Sequence, residues 1–133
     1  MGVRSVGARA FPPSVQHIEA ALRVLGGKWK LIILWHLAER PRRYGVLRRL
    51  IPGVSEKMLI QQLRELERDG LVAREVHRSV PPSTTYSLTE YGRSLSPALM
   101  ELCRWGRAHL ERCQGTGEEG LSRDGASGDV TTG

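Results

Sequence analysis

Apolar residues fall at helical spacing along most of this chain and at strand spacing only in its middle. Ser14 is a good helix cap, and behind it Ile18, Ala21, Leu22 and Leu25 form one stripe that ends at Gly26-Gly27. A second helix is expected over 28–39, where Trp29, Leu31, Ile32, Ile33, Leu34, Trp35 and Leu37 are apolar on nearly every side, so it marks the buried centre; Pro41 stops it. A short extended stretch at 42–44 precedes a third helix over 45–50, and residues 51–54 turn the chain. Ser55 then caps a fourth helix that ends at Gly70. Residues 71–77 and 84–88 read as strands, separated by Arg78-Ser79-Val80-Pro81-Pro82-Ser83, which cannot pair regularly. Thr89 opens a last helical region to about 112, with Leu95, Leu99, Leu102, Trp105 and Ala108 or His109 along one stripe and a kink or interruption at Pro97.

Helix, turn, helix and then a hairpin is the order of a winged helix-turn-helix. The fold class expected is mainly α with a small β-hairpin, flanked by N- and C-terminal helices that dimerise. Residues 1–13 read as a loose arm, 14–113 as the folded domain, and 114–133, rich in Gly, Ser and Thr, as a disordered tail. The stripes of the two terminal helices need cover in so small a protein, so Ile18, Leu22, Leu99, Leu102 and Trp105 are the expected interface of a homodimer.

The fourth helix carries the chemistry. At 100° per residue Leu59, Leu63 and Leu66 share one side, with Met58 at its margin, while Lys57, Gln61, Arg64 and Arg68 lie opposite. A helix that docks by leucines and presents Lys, Gln and Arg outward has the form of one that enters a DNA major groove. Arg and Gln make paired bonds to guanine and adenine edges, and Ile60, exposed beside the row, can meet a thymine methyl. Ser55 stands where a phosphate would sit against free N–H groups. Base readout is assigned to the half from Ser55 to Arg64, and backbone or solvent contact to Arg68. Arg78 at the hairpin tip suits a minor groove or a phosphate, and Arg42, Arg43, Arg48 and Arg49 suit backbone phosphates.

Charge agrees with this. The net charge is +6, yet the last twenty residues hold four acids and one base, so the rest carries 19 bases against 10 acids, or +9. A body this basic attracts polyanions, and double-stranded DNA is the expected partner. The longest apolar run, from Leu31 to Trp35, is too short to span a bilayer, and no signal-peptide pattern opens the chain, so the expected location is cytoplasmic. Cys103 and Cys113 have neither metal-ligand spacing nor a nearby His pair and read as small buried or half-buried thiols; no metal or cofactor is expected. His36 reads as a satisfied core histidine, and Trp29, Trp35 and Trp105 as core or subunit contacts. No nucleophile, metal or phosphate-loop arrangement supports an enzyme.

The chain resembles the HxlR-type regulators, bacterial winged helix-turn-helix proteins related to the MarR group. The resemblance rests on Leu25-Gly26-Gly27-Lys28-Trp29-Lys30, Pro52-Gly53-Val54-Ser55-Glu56-Lys57-Met58-Leu59, the run from Gln61 to Val72, Pro81-Pro82, Tyr86-Ser87-Leu88-Thr89 and Gly92-Arg93-Ser94-Leu95, in family order. It implies a homodimer held by the first and last helices on a two-fold-related operator, repression of a neighbouring gene in many members, and responses to electrophiles, quinones or aldehydes. The family often carries a sensing Cys-Pro before the first helix; here those positions are Gln16 and His17, so sensing by that route is absent. The sequence names no effector. The leading expectation is a sequence-specific DNA-binding regulator, a repressor in the simplest case. The runner-up is a winged-helix module that binds protein or nucleic-acid structure without reading sequence.

Overall fold

The structure is a computed structural model that describes residues 12–120. It comprises two units, one ending at Ser94 and the other beginning at Leu95. In the first, helix α1 (Val15–Leu25) is followed by α2 (Lys30–Glu39), strand β1 (Arg42–Arg43), α3 (Tyr44–Leu50), α4 (Glu56–Arg68), β2 (Val72–His77), β3 (Ser83–Leu88) and the single turn α5 (Glu90–Arg93). The second is helix α6 (Ser96–Gly120).

Local chemistry accounts for most boundaries. Ser14 accepts the Gln16 N–H, Ser55 that of Met58 and Thr89 that of Gly92, so three helices begin on their own side-chain caps. α2 starts at Lys30, two residues later than expected, because Gly27 takes a left-handed φ of +96° and the chain turns through Trp29 before closing its first helical bond. α4 ends in a Schellman motif: Gly70, at φ +83°, donates to Glu67 O and Leu71 donates to Leu66 O.

Ile33, Leu34 and Leu37 of α2, Leu47 of α3 and Leu59, Leu63 and Leu66 of α4 meet Val72, Tyr86 and Leu88 of the sheet in one core. Each such side chain contributes roughly 1.5–3 kcal/mol on leaving water. Leu59, Leu63 and Leu66 are the stripe read from the sequence, so the opposite side of α4 faces outward.

The sheet departs from the expected hairpin. It has three antiparallel strands in the order β1-β3-β2, with Arg42 opposite Tyr86 and Arg43 opposite Thr85 on one side of β3, and Arg74 opposite Tyr86 on the other. A strand of two residues has no alternation for a sequence pattern to reveal.

α1 buries none of its residues; Ile18 and Leu22 are each 60% exposed. Pro97 lies in the first turn of α6, where a missing N–H costs nothing, and the chain breaks before it at Ser94 and Leu95, as its position predicts. α6 continues to Gly120 through seven residues expected to be disordered; extending an established helix costs far less than nucleating one, even through glycines. The rest of that expected tail, 121–133, and residues 1–11 of the expected arm lie outside the described residues. Leu102 and Trp105 are exposed, whereas Leu99 is buried within the single chain. Cys103 and Cys113 are exposed free thiols rather than buried ones, because α6 leaves most of its surface to solvent. His36 is half-buried, but its Nδ1 has no hydrogen-bond partner, so it is not the satisfied core histidine expected.

Candidate nucleic-acid interface

The α4 surface away from the core presents Lys57, Gln61, Arg64 and Arg68, all exposed. The docking leucines on a rigid helix hold their Cα positions, while the capped N-terminus fixes where the helix begins. Arg68 pairs with the adjacent Asp69 at 3.2 Å and Arg48 with Glu56 at 3.4 Å, both in solvent, where such pairs are worth at most about 1 kcal/mol and exchange readily for phosphate. The Ser55 hydroxyl is engaged in the cap at 3.0 Å from Met58 N.

Four expected contact residues converge with others that sequence reasoning passed over. Arg43, Arg49, Ile60 and Arg64 line one open cleft of about 700 Å³ between α3, α4 and the sheet, together with Arg74, Glu67 and the rings of Tyr44 and Tyr86. Ile60 is half-buried in this wall, not exposed as expected, because the bulk of α3 and the sheet rises beside it. Four guanidinium groups against one carboxylate make the cleft strongly cationic, even with Arg74 Nε 3.6 Å from Glu67 Oε1. Burial pushes the Tyr86 phenol above its ordinary range, so it stays a neutral wall. The hydroxyls of Tyr44 and Ser83 in the same wall are buried and unpartnered.

Arg42 does not join this surface. Its Nε donates to the His36 carbonyl at 3.1 Å, its Nη2 sits 2.6 Å from Glu39 Oε1, and its side chain is 13% exposed. It ties the end of α2 to β1, a structural role that a pattern of basic residues does not reveal. Arg78, by contrast, is exposed in the loop between β2 and β3, whose base is fastened by His77 Nε2 and Thr85 Oγ1 at 2.8 Å.

Beneath the outward row lies a polar chain. Lys30, the first residue of α2, is 5% exposed, and its Nζ reaches Glu65 Oε1 on α4 at 2.6 Å. The other Glu65 oxygen, Oε2, accepts from Gln61 Nε2 at 3.2 Å. Lys30 first, and Gln61 next, hold the Glu65 carboxyl below the usual carboxylate range. The one sequence signal for this pair is a lysine opening an otherwise apolar helix, since a buried ammonium requires an acid.

Among the described residues, no three His, Cys, Asp or Glu side chains converge as a metal site would require, and no helix is long and apolar enough to cross a membrane.

Comparison with known proteins agrees with the geometry. The family model for HxlR-like helix-turn-helix proteins matches residues 24–114. The uncharacterized HTH-type transcriptional regulator YtcD of Bacillus subtilis (strain 168) is 52% identical over 98 residues, 74% of this chain and 78% of that protein. A crystal structure of a ytcD regulator superposes with a TM-score of 0.67 at 51% identity, covering 71% of this chain and 96% of that one. The redox regulator HypR in its reduced form gives a TM-score of 0.69 at 43% identity, over 74% of this chain and 97% of that one. The fold is thus a winged helix with a three-stranded sheet, in which α3 and α4 form the helix-turn-helix and the β2–β3 loop is the wing. With a family model across most of its length and relatives named as transcriptional regulators, this chain belongs to the HxlR-like helix-turn-helix family of DNA-binding regulators.

Proposed function

We propose that this protein is a sequence-specific transcriptional repressor that binds a two-fold-related operator as a homodimer in the cytoplasm. The observation that carries the reading is the exposed Lys57, Gln61, Arg64 and Arg68 row on a helix anchored by Leu59, Leu63 and Leu66. Lys57, Gln61 and Arg64 supply base contacts from α4, the recognition helix, and Arg68 reaches the flanking backbone. The cationic cleft beside α4, with Arg43, Arg49 and Arg74, seats the phosphates between the groove that α4 enters and the groove that Arg78 on the wing reaches. Arg48 adds a backbone contact once released from Glu56.

The dimer is supported by apolar surface that lacks cover. Ile18 and Leu22 on α1, and Leu102 and Trp105 on α6, are each more than half exposed. A second copy would bury them and set two recognition helices about one helical turn apart on DNA. Occupying such a site over a promoter blocks transcription without further chemistry.

Fluorescence anisotropy with duplex DNA flanking the protein's own gene tests the reading. The expected result is a preference of at least a thousandfold for one native segment over a scrambled duplex at moderate salt. Equal affinity for both would overturn sequence-specific regulation and favour a module that recognises nucleic-acid shape alone.

A further inference from the structure

The recognition helix holds one acid directly beneath its outward row, where a bare carboxylate would repel DNA. Glu65 is half-buried, with Lys30 Nζ at 2.6 Å on one oxygen and Gln61 Nε2 at 3.2 Å on the other. Lys30 is nine-tenths buried and begins a helix of the core, so its ammonium cannot follow solvent or DNA. It cancels the Glu65 charge and pins one carboxylate oxygen.

The free oxygen then fixes Gln61. A carboxylate only accepts, so the carboxamide must turn its nitrogen, not its oxygen, toward Glu65. One N–H is used in that bond. The second N–H and the carbonyl oxygen remain side by side on the outer edge of the amide. That edge, one acceptor beside one donor, is the complement of adenine in the major groove, which offers the N6 amino group and N7. A free glutamine samples both amide orientations, and the flipped one sets oxygen against N7 and nitrogen against the amino group.

Resting on the DNA-reading role of α4, we propose that Glu65, pinned by Lys30, is a positioning residue that locks the Gln61 carboxamide in the orientation that selects adenine at one position of each half-site. Glu65 touches no base itself. Its influence is therefore on choice at a single position, with no general effect on binding.

Selection of duplexes from a randomised pool, followed by sequencing, tests this with the intact protein. The parent should enrich a half-site with adenine at one position by about tenfold over other bases, and Gln61→Ala should lose that preference and no other. Glu65→Ala should lose the same preference, and so should Glu65→Gln, whose one amide oxygen is taken by the Lys30 ammonium, so that its amide nitrogen faces Gln61 and turns the Gln61 oxygen inward. Because Glu65→Ala leaves a buried ammonium alone, the paired Lys30→Met/Glu65→Met variant serves as a second probe with no stranded charge. It should fold, as judged by circular dichroism and thermal unfolding, and show less than about threefold preference at that position with the others intact. A folded paired variant that keeps the adenine preference overturns the proposal, as does a Gln61→Ala variant with an unchanged consensus. A parent that enriches no sequence overturns the DNA-reading role itself, which is a separate failure.

Discussion

A Cβ added at Gly92 would stand 2.2 Å from the carbonyl oxygen of Leu71. That carbonyl accepts the Thr89 N–H at 3.0 Å, and Thr89 Oγ1 in turn donates to the Gly70 carbonyl at 2.6 Å. The close approach therefore lies where the end of α4, the start of β2 and the turn α5 are tied together. Gly92→Ala must push backbone apart, since no flexible side chain is there to yield. It should cost about 1–3 kcal/mol in urea unfolding at neutral pH. Unchanged stability would mean that α5 shifts freely.

Arg42 and Arg78 should separate cleanly. Arg42→Ala removes the bond to the His36 carbonyl and the Glu39 pair, and should lower stability by about 1–2 kcal/mol while leaving the salt dependence of DNA binding unaltered. Arg78→Ala should leave the unfolding midpoint alone and flatten the salt dependence by about one unit in a log–log plot of affinity against salt. Denaturation curves and salt titrations on both variants check the assignment.

Arg64 belongs both to the outward row and to the cationic cleft. As a base reader it should cost about 1–3 kcal/mol on the cognate site when changed to Ala, with relaxed choice at one position. Equal weakening on scrambled duplex would reassign it to phosphate.

Glu65 predicts a pH dependence of stability. Its carboxyl is held below the ordinary range by Lys30 and Gln61, so the ionised form stabilises the folded state. That contribution is complete at neutral pH, begins to fall as pH drops past the ordinary Glu value of about 4.3, and is gone once pH has passed the lower folded value. The difference in urea midpoint between the parent and Glu65→Gln should be constant across roughly pH 6–8 and shrink through that acid window. A difference that grows as pH falls would have the wrong sign for a carboxylate stabilised by an ammonium.

The proposed dimer is open to a direct measurement. Replacing Leu22 and Trp105 together by Glu should give a protein that sediments as a single chain. Its affinity for a two-fold site should fall by about a hundredfold, while binding to an isolated half-site persists. A variant that still sediments as a dimer would place the subunit contact elsewhere.

Local chemistry was readable in the sequence, and long-range pairing was not. Ser14, Ser55 and Thr89 mark helix starts because capping depends on the neighbouring residues alone, and the leucines of α4 mark its inner side because helical period does too. The docking side also placed Lys57, Gln61, Arg64 and Arg68 outward. Lys30 and Glu65 come from different helices, and only the packing of α2 on α4 makes them partners. Arg42 and Arg43 are adjacent and chemically identical, yet one is engaged by a helix-end carbonyl and the other lines the cleft. Which way each turns is decided by β1, too short to show a period. Ile60 was misjudged for the same reason: its cover is supplied by α3 and the sheet, not by its own helix.

β1 joins the centre of the sheet through main-chain pairing, with Arg42 and Arg43 opposite Tyr86 and Thr85. Main-chain bonds are indifferent to side-chain identity. The base of the wing is thus held by a frame that survives replacement of the contacting residues. Divergent descendants of this fold can exchange the letters they read, or the phosphates they grip, without rebuilding the instrument that reads them.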